Sequence, residues 1–314
     1  MSDKFGVKTL SSCTALAFVL GWLTPEAVGH LQAARHEQSP AAGALPVAAP
    51  KQEGVEADAL SRFKAIDWTT QDPDAAGELV SALSDNAALR QVVLERYRQE
   101  PQGLAKARLA LLLTERPLPE VIAAAVAWAQ DPDSATARAD GFTILRNTRP
   151  QLATYRLMRQ ALEHEQDPVA LGAAVWGMSS PQDVPDPAEA EQVVPRLHAL
   201  TRHPMADVRS ASIQRLAEWD RAQRYIEGDV LRLLSDPDRG VREAAVGATS
   251  IAWLTSASVK QRLFALLASE KADDEFRSIV LLQFSRFALT RQEYSAYQAV
   301  SHELFGKADE PVGR

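Results

Sequence analysis

Cysteine is all but missing: Cys13 stands alone among 314 residues, so no internal disulfide and no cysteine-built zinc site can form. That excludes a small extracellular domain stapled by disulfides. Aromatic residues are scarce, 6% against 46% hydrophobic overall. The balance is made up by alanine and leucine, which favours helices over sheets. Positive charge is short as well. The net charge is −7 with no run or cluster of Lys and Arg, which speaks against nucleic acid or anionic lipid as a partner of the body of the chain. There is no Gly-rich phosphate loop, nucleophile elbow, His-Glu-x-x-His or paired-carboxylate arrangement. The residues therefore nominate no catalytic group, no cofactor and no metal ligand set.

Long uncharged stretches are equally rare. The one that matters, residues 9–23, follows Lys4 and Lys8 and has the pattern of a signal peptide or signal anchor. Ala27-Val28-Gly29 offers a cleavage site, whereas Trp22 suits the interface of an uncleaved anchor. In either case the lysines favour a cytoplasmic N-terminus and an exported body. The expectation is therefore a cell-envelope protein, anchored at the inner membrane or processed into the periplasm, touching membrane through this segment only. A cytoplasmic protein with a buried N-terminal helix is the alternative. Leu10-Ser11-Ser12-Cys13 resembles a lipoprotein box, but the apolar stretch follows the cysteine instead of preceding it. Residues 30–54 form a linker, rich in Pro, Ala and Gly from 38 onward.

From residue 55 to 305 the apolar pattern is that of helices in pairs, with 306–314 as a tail. Asp72-Pro73, Glu100-Pro101, Asp131-Pro132, Asp167-Pro168, His203-Pro204, Asp236-Pro237 and Lys271-Ala272 mark the starts of second helices, 28, 31, 36, 36, 33 and 35 residues apart. First helices are expected near 56–67, 86–99, 118–130, 151–165, 188–202, 221–235 and 256–269, with a capping helix near 290–305. A two-helix unit repeated at this period means an all-α superhelix of about seven pairs. Residues 179–187 carry three prolines in seven positions and cannot continue a helix.

The clearest copy is Asp236-Pro237-Asp238-Arg239-Gly240-Val241-Arg242-Glu243-Ala244-Ala245. Its Asp236 can cap the helix, Pro237 suits the first helical position, and Val241, Ala244, Ala245, Ala248, Ile251 and Ala252 form an apolar stripe of small residues. Ile226, Val230, Leu233 and Leu234 supply the bulkier half of the pair. At these residues the chain resembles the HEAT-repeat family. The resemblance implies an α-solenoid in which the Asp and an Arg six positions on form ladders between repeats. Asp131, Asp167, Arg209, Asp236, Arg242 and Arg277 are the ladder and cap candidates, and only Asp236 and Arg242 match both members. Arg209 has His203 at the acidic place, Arg277 has Lys271, and the arginine after Asp131 comes one place late, at Arg138. A partial ladder confined to the C-terminal half is expected.

The functional expectation is a non-enzymatic scaffold that holds a protein partner. Trp176, Trp219 and Trp253 near the ends of second helices are candidate anchors for it, or else fillers of gaps between repeats. The charged residues Arg215, Glu218, Asp220, Arg221 and Arg224 read as a solvated face of ordinary pairs. The alternative is an enzyme or an enzyme-activating subunit. HEAT-like deoxyhypusine hydroxylases bind iron through repeated His-Glu pairs, and His36-Glu37, His164-Glu165 and His302-Glu303 occur here, but at places in the repeats that do not correspond. A HEAT-like lyase is another form of that alternative; a HEAT-like class of DNA glycosylases resembles this pattern in architecture only, and its basic surface is missing.

Overall fold

The computed structural model describes residues 53–68, 73–116, 118–148, 152–178, 180–183, 187–270 and 273–306. The N-terminal segment 1–29 with Cys13 and His36-Glu37, the linker up to residue 52, and residues 307–314 of the tail lie outside the described residues. The described chain is all helix: α1 (Glu53–Ala65), α2 (Pro73–Asp85), α3 (Ala87–Gln99), α4 (Leu104–Thr114), α5 (Pro119–Ala129), α6 (Ala135–Arg146), α7 (Leu152–His164), α8 (Pro168–Gly177), α9 (Pro187–Leu200), α10 (Ala206–Trp219), α11 (Ile226–Leu233), α12 (Arg239–Ile251), α13 (Ala257–Ser269), α14 (Asp274–Leu282) and α15 (Arg291–Phe305), with 3-10 turns at Pro181–Asp183 and Gln283–Arg286. It contains no strand among the described residues. The fold is the expected α-solenoid type. Helix α1 begins at Glu53, inside the predicted linker.

The chain divides after Leu118 into two compact units. In the first, α1–α4 pack around Leu79, Leu83, Leu89, Val93, Tyr97, Leu109 and Leu113, all buried. Asn86 caps α3 by accepting the Leu89 N–H at 2.8 Å. Lys106 is buried too, its ammonium 4.8 Å above the Tyr97 ring, and Arg108 donates to the Trp68 carbonyl at 2.8 Å.

In the second unit, from Pro119 onward, first and second helices alternate and the second helices α6, α8, α10 and α12 pack in a row. Their contact faces are built of small residues, with Ala170, Ala174, Ala211, Ser212, Ala244, Ala245 and Ala248 all buried. Small side chains let helix axes come close, and dispersion gains accumulate over the short gap. Within the pair α5–α6, Gly141 allows a close approach of the same kind: a Cβ there would lie 2.4 Å from Ala129 N and 2.5 Å from Ala125 O. The first helices contribute the large side chains, with Ile226, Val230, Leu233 and Leu234 fully buried.

Four details depart from the sequence expectation. Pro132, Pro204 and Pro237 precede their helices rather than opening them, because the cap comes later, at Ser134, Met205 and Asp238. Asp236 therefore caps nothing; it accepts the Asp238 N–H at 3.0 Å. Asp131 likewise accepts from Asp133 and Ser134 within its turn, and of the three expected caps only Asp167 is an N-cap, bonded to Val169 and Ala170. Ile251 leaves the apolar stripe and is 41% exposed. Helix α11 is shorter than 221–235, because the Asp220 carboxylate draws the N–H groups of Arg224, Tyr225 and Ile226 into a turn at 3.0, 2.6 and 3.0 Å. Asp220 is buried and belongs to no solvated face.

Candidate functional site

Two edges of the second unit collect its polar side chains. One holds the turns that lead into the second helices. Arg138, Arg209, Arg242 and Arg277 are each the fourth residue of α6, α10, α12 and α14. Each reaches a carboxylate in the next repeat. Arg138 pairs with Glu165 at 2.6 and 3.0 Å, and Arg209 with Asp236 at 2.9 and 2.7 Å. Arg277 pairs with Glu303 at 2.9 and 3.2 Å, and Arg242 approaches Glu270 at 3.4 Å. Three of these are forked, two-bond pairs, the strong geometry for a guanidinium and a carboxylate. Arg138, Arg209 and Arg242 also donate to carbonyls of their own turns, at Asp131, His203 and Asp236.

Two of these pairs hold their acids, Glu165 and Asp236, ionised. The Arg138 hydrogen bond, working against burial, lowers the Glu165 pKa from its ordinary value. Burial presses the Asp236 pKa upward, but hydrogen bonds from Arg209 and the Asp238 N–H with the Arg209 and Arg232 charges outweigh it, and the net direction is down. The ladder is not confined to the C-terminal half, since Arg138–Glu165 lies early in the unit. It has one gap. Helix α8 carries no charged residue, and the turn it would reach presents His203, whose pKa is lowered by burial and by the Arg209 and Arg196 charges.

The opposite edge gathers the ends of α10 and α12. Trp219, the last residue of α10, is buried and stacks on Tyr155 at 6.1 Å with ring planes 7° apart; it fills a gap between repeats. Trp176 is half-buried, with the Arg215 guanidinium 5.6 Å from its ring and bonded to its carbonyl at 2.9 Å. Trp253 is different. It is 72% exposed and has a left-handed backbone, φ 53°. Its N–H donates to Ser250 O at 3.1 Å and the Leu254 N–H to Thr249 O at 3.0 Å, the two bonds of a Schellman helix end. Trp253 thus stands where a glycine ordinarily ends such a helix.

Beside Trp253 opens a cleft of about 390 Å³ that runs from Ser180 and Gln182 past Glu218 and Arg221 to Ile251. Gln223, also left-handed at φ 51°, ties the two helix ends together by donating its side-chain amide to Ala252 O at 2.8 Å. A larger concavity in the first unit, about 610 Å³, borders Phe63 and Trp68, but Trp68 is buried against Phe63, ring centres 5.5 Å apart.

Nothing assembles the hydroxylase-like site. Glu165 and Glu303, the glutamates of two His-Glu pairs, are held by Arg138 and Arg277. Among the described residues no three His, Cys, Asp or Glu side chains gather at metal-binding range, and no helix is long and apolar enough to cross a membrane. Local spacing missed Glu165, Glu270 and Glu303 because they lie 26 to 28 positions beyond their arginines, in the next repeat.

No curated protein matches the chain. The X-ray structure of E. coli YibA is similar at 15% identity over 77% of each chain, with a TM-score of 0.47, a likeness too slight to argue from. Residues 193–282, from within α9 to the end of α14, match the family model described as HEAT repeats. The helix pairs of that stretch are thus similar to HEAT repeats.

Proposed function

We propose that this protein is a non-enzymatic scaffold that holds a protein partner at the cleft between the ends of α10 and α12. One observation carries the reading: Trp253 is exposed and sits in a backbone conformation that costs a bulky residue about 1 kcal/mol or more and costs glycine almost nothing. Neither burial nor backbone geometry accounts for an indole there, whereas tryptophan is enriched at interface hot spots. A repeat array supplies such edges without an enclosed catalytic pocket. The test is affinity capture with the full chain and with Trp253→Gly, followed by mass spectrometry. The expected result is a partner recovered by the first and lost by the second, with both proteins equally folded. Identical recoveries from the two would discard the cleft.

The proposal extends to place. The lysine-flanked run 9–23 would export the body and tether it at the cell envelope. Fractionation tests this: the expected protein is in the membrane or periplasmic fraction, and a cytosolic protein that keeps Met1 removes the tether.

A further inference from the structure

We infer that the Trp253 cleft takes an acidic peptide, one whose apolar side chain lies on the indole while its carboxylates pair with Arg221 and Arg224. The inference rests on the cleft reading above and adds the chemistry of the occupant. The two arginines stand out by what they lack. Between residues 201 and 250 the other arginines all meet a carboxylate: Arg202 and Arg232 meet Asp229, and the rest, at 209, 215, 239 and 242, meet Asp236, Glu218, Asp273 and Glu270. Arg221 and Arg224 are exposed and have no carboxylate within ion-pair distance among the described residues. In a chain of net charge −7, where acids outnumber bases, two neighbouring arginines on one turn without an acid partner are an exception within this stretch.

The acids nearest to them are committed elsewhere. Glu218 lines the cleft but accepts from Arg215 at 2.8 Å. Asp220 lines it too, and its carboxylate is consumed by three backbone N–H groups of the same turn. Arg221 lines the cleft beside Trp253, and Arg224 follows three residues later. A guanidinium offers five donors in a planar fork that matches a carboxylate. Tryptophan and arginine together are the residues most enriched where binding energy concentrates.

The probe is a random peptide library displayed on phage and selected on the full chain. Selected sequences should carry Asp or Glu beside an apolar residue. A synthetic winner should lose roughly tenfold or more in affinity with Trp253→Gly and with Arg221→Glu/Arg224→Glu. Its binding should weaken as salt rises from 50 to about 300 mM. Winners rich in Lys or Arg, or an affinity indifferent to the arginine reversals while still lost with Trp253→Gly, would overturn the acidic class and leave the cleft standing. No winners, or winners indifferent to Trp253→Gly, would overturn both. Thermal unfolding of each variant shows that a lost affinity is not a lost fold.

Discussion

The two edges of the second unit use the same residue types in opposite ways. On the ladder edge arginines are paired, Glu165 and Asp236 are held ionised, and α8, α12 and α14 begin under an aspartate cap. On the cleft edge two arginines go unmatched and a tryptophan occupies glycine's place. The first edge is arranged for cohesion between repeats. The second forgoes stability it could have at no structural cost, and the proposed docking of a partner there gives that loss a reason.

That contrast can be broken from either side. The largest effect belongs to Arg209→Met. It leaves the Asp236 carboxylate, 7% exposed, without its cation, and urea unfolding should show a loss of about 3 kcal/mol. Arg209→Met/Asp236→Leu should recover most of that, because removing both charges also removes the desolvation cost. Next comes Asp220→Ala, which orphans three backbone N–H groups and should cost about 2 kcal/mol by the same measurement. Trp253→Gly should move the other way, a gain of about 1 kcal/mol in a variant that, on the proposed function, loses its partner. A loss of stability there would mean that the indole supports the fold.

The smallest effect is on pH dependence. His203 has a lowered folded pKa, so the unfolded chain binds its proton first and stability contributed by the neutral ring is complete above the ordinary histidine value of about 6.5 and lost as pH falls through the folded one. Glu165 and Asp236 are lowered carboxylates; their contribution is complete above about pH 4 and is lost as acid protonates them in the folded state. Stability measured down from pH 8 should therefore fall in two steps, and His203→Gln should flatten the upper one without touching the lower.

Much of the fold was legible because each helix pair announces itself by apolar period and, in all but the Lys271-Ala272 pair, by a proline-marked turn. The predicted first helices at 86–99 and 256–269 fall within a residue of α3 and α13. Helix ends were less legible. The carboxylate chosen as a cap depends on which aspartate the turn leaves free, and the sequence around Asp236 and Asp238 supports either. The two tryptophans show why a site resists sequence reading. Trp219 and Trp253 follow Arg209 and Arg242 by ten and eleven residues. One added residue turns a helical side chain by about 100°, and α12 stops at Ile251 while α10 runs through Trp219. The result is one indole stacked on Tyr155 and one facing solvent. The ladder was half-visible for a different reason: its arginines lie in a local motif, but their acids belong to the next repeat.

Helix α8, with no charged residue, and His203 opposite it leave one rung of the ladder without an arginine–carboxylate pair among the described residues. Added salt weakens the attraction of paired charges at the clasped seams more than it weakens this one, where alanine contact and the hydrogen bond from Arg215 to the Trp176 carbonyl do the holding. Rising ionic strength therefore evens out cohesion along the unit, and dilution sharpens the difference, so the α8–α10 seam is where the stack gives first in fresh water and is least distinguished in brine.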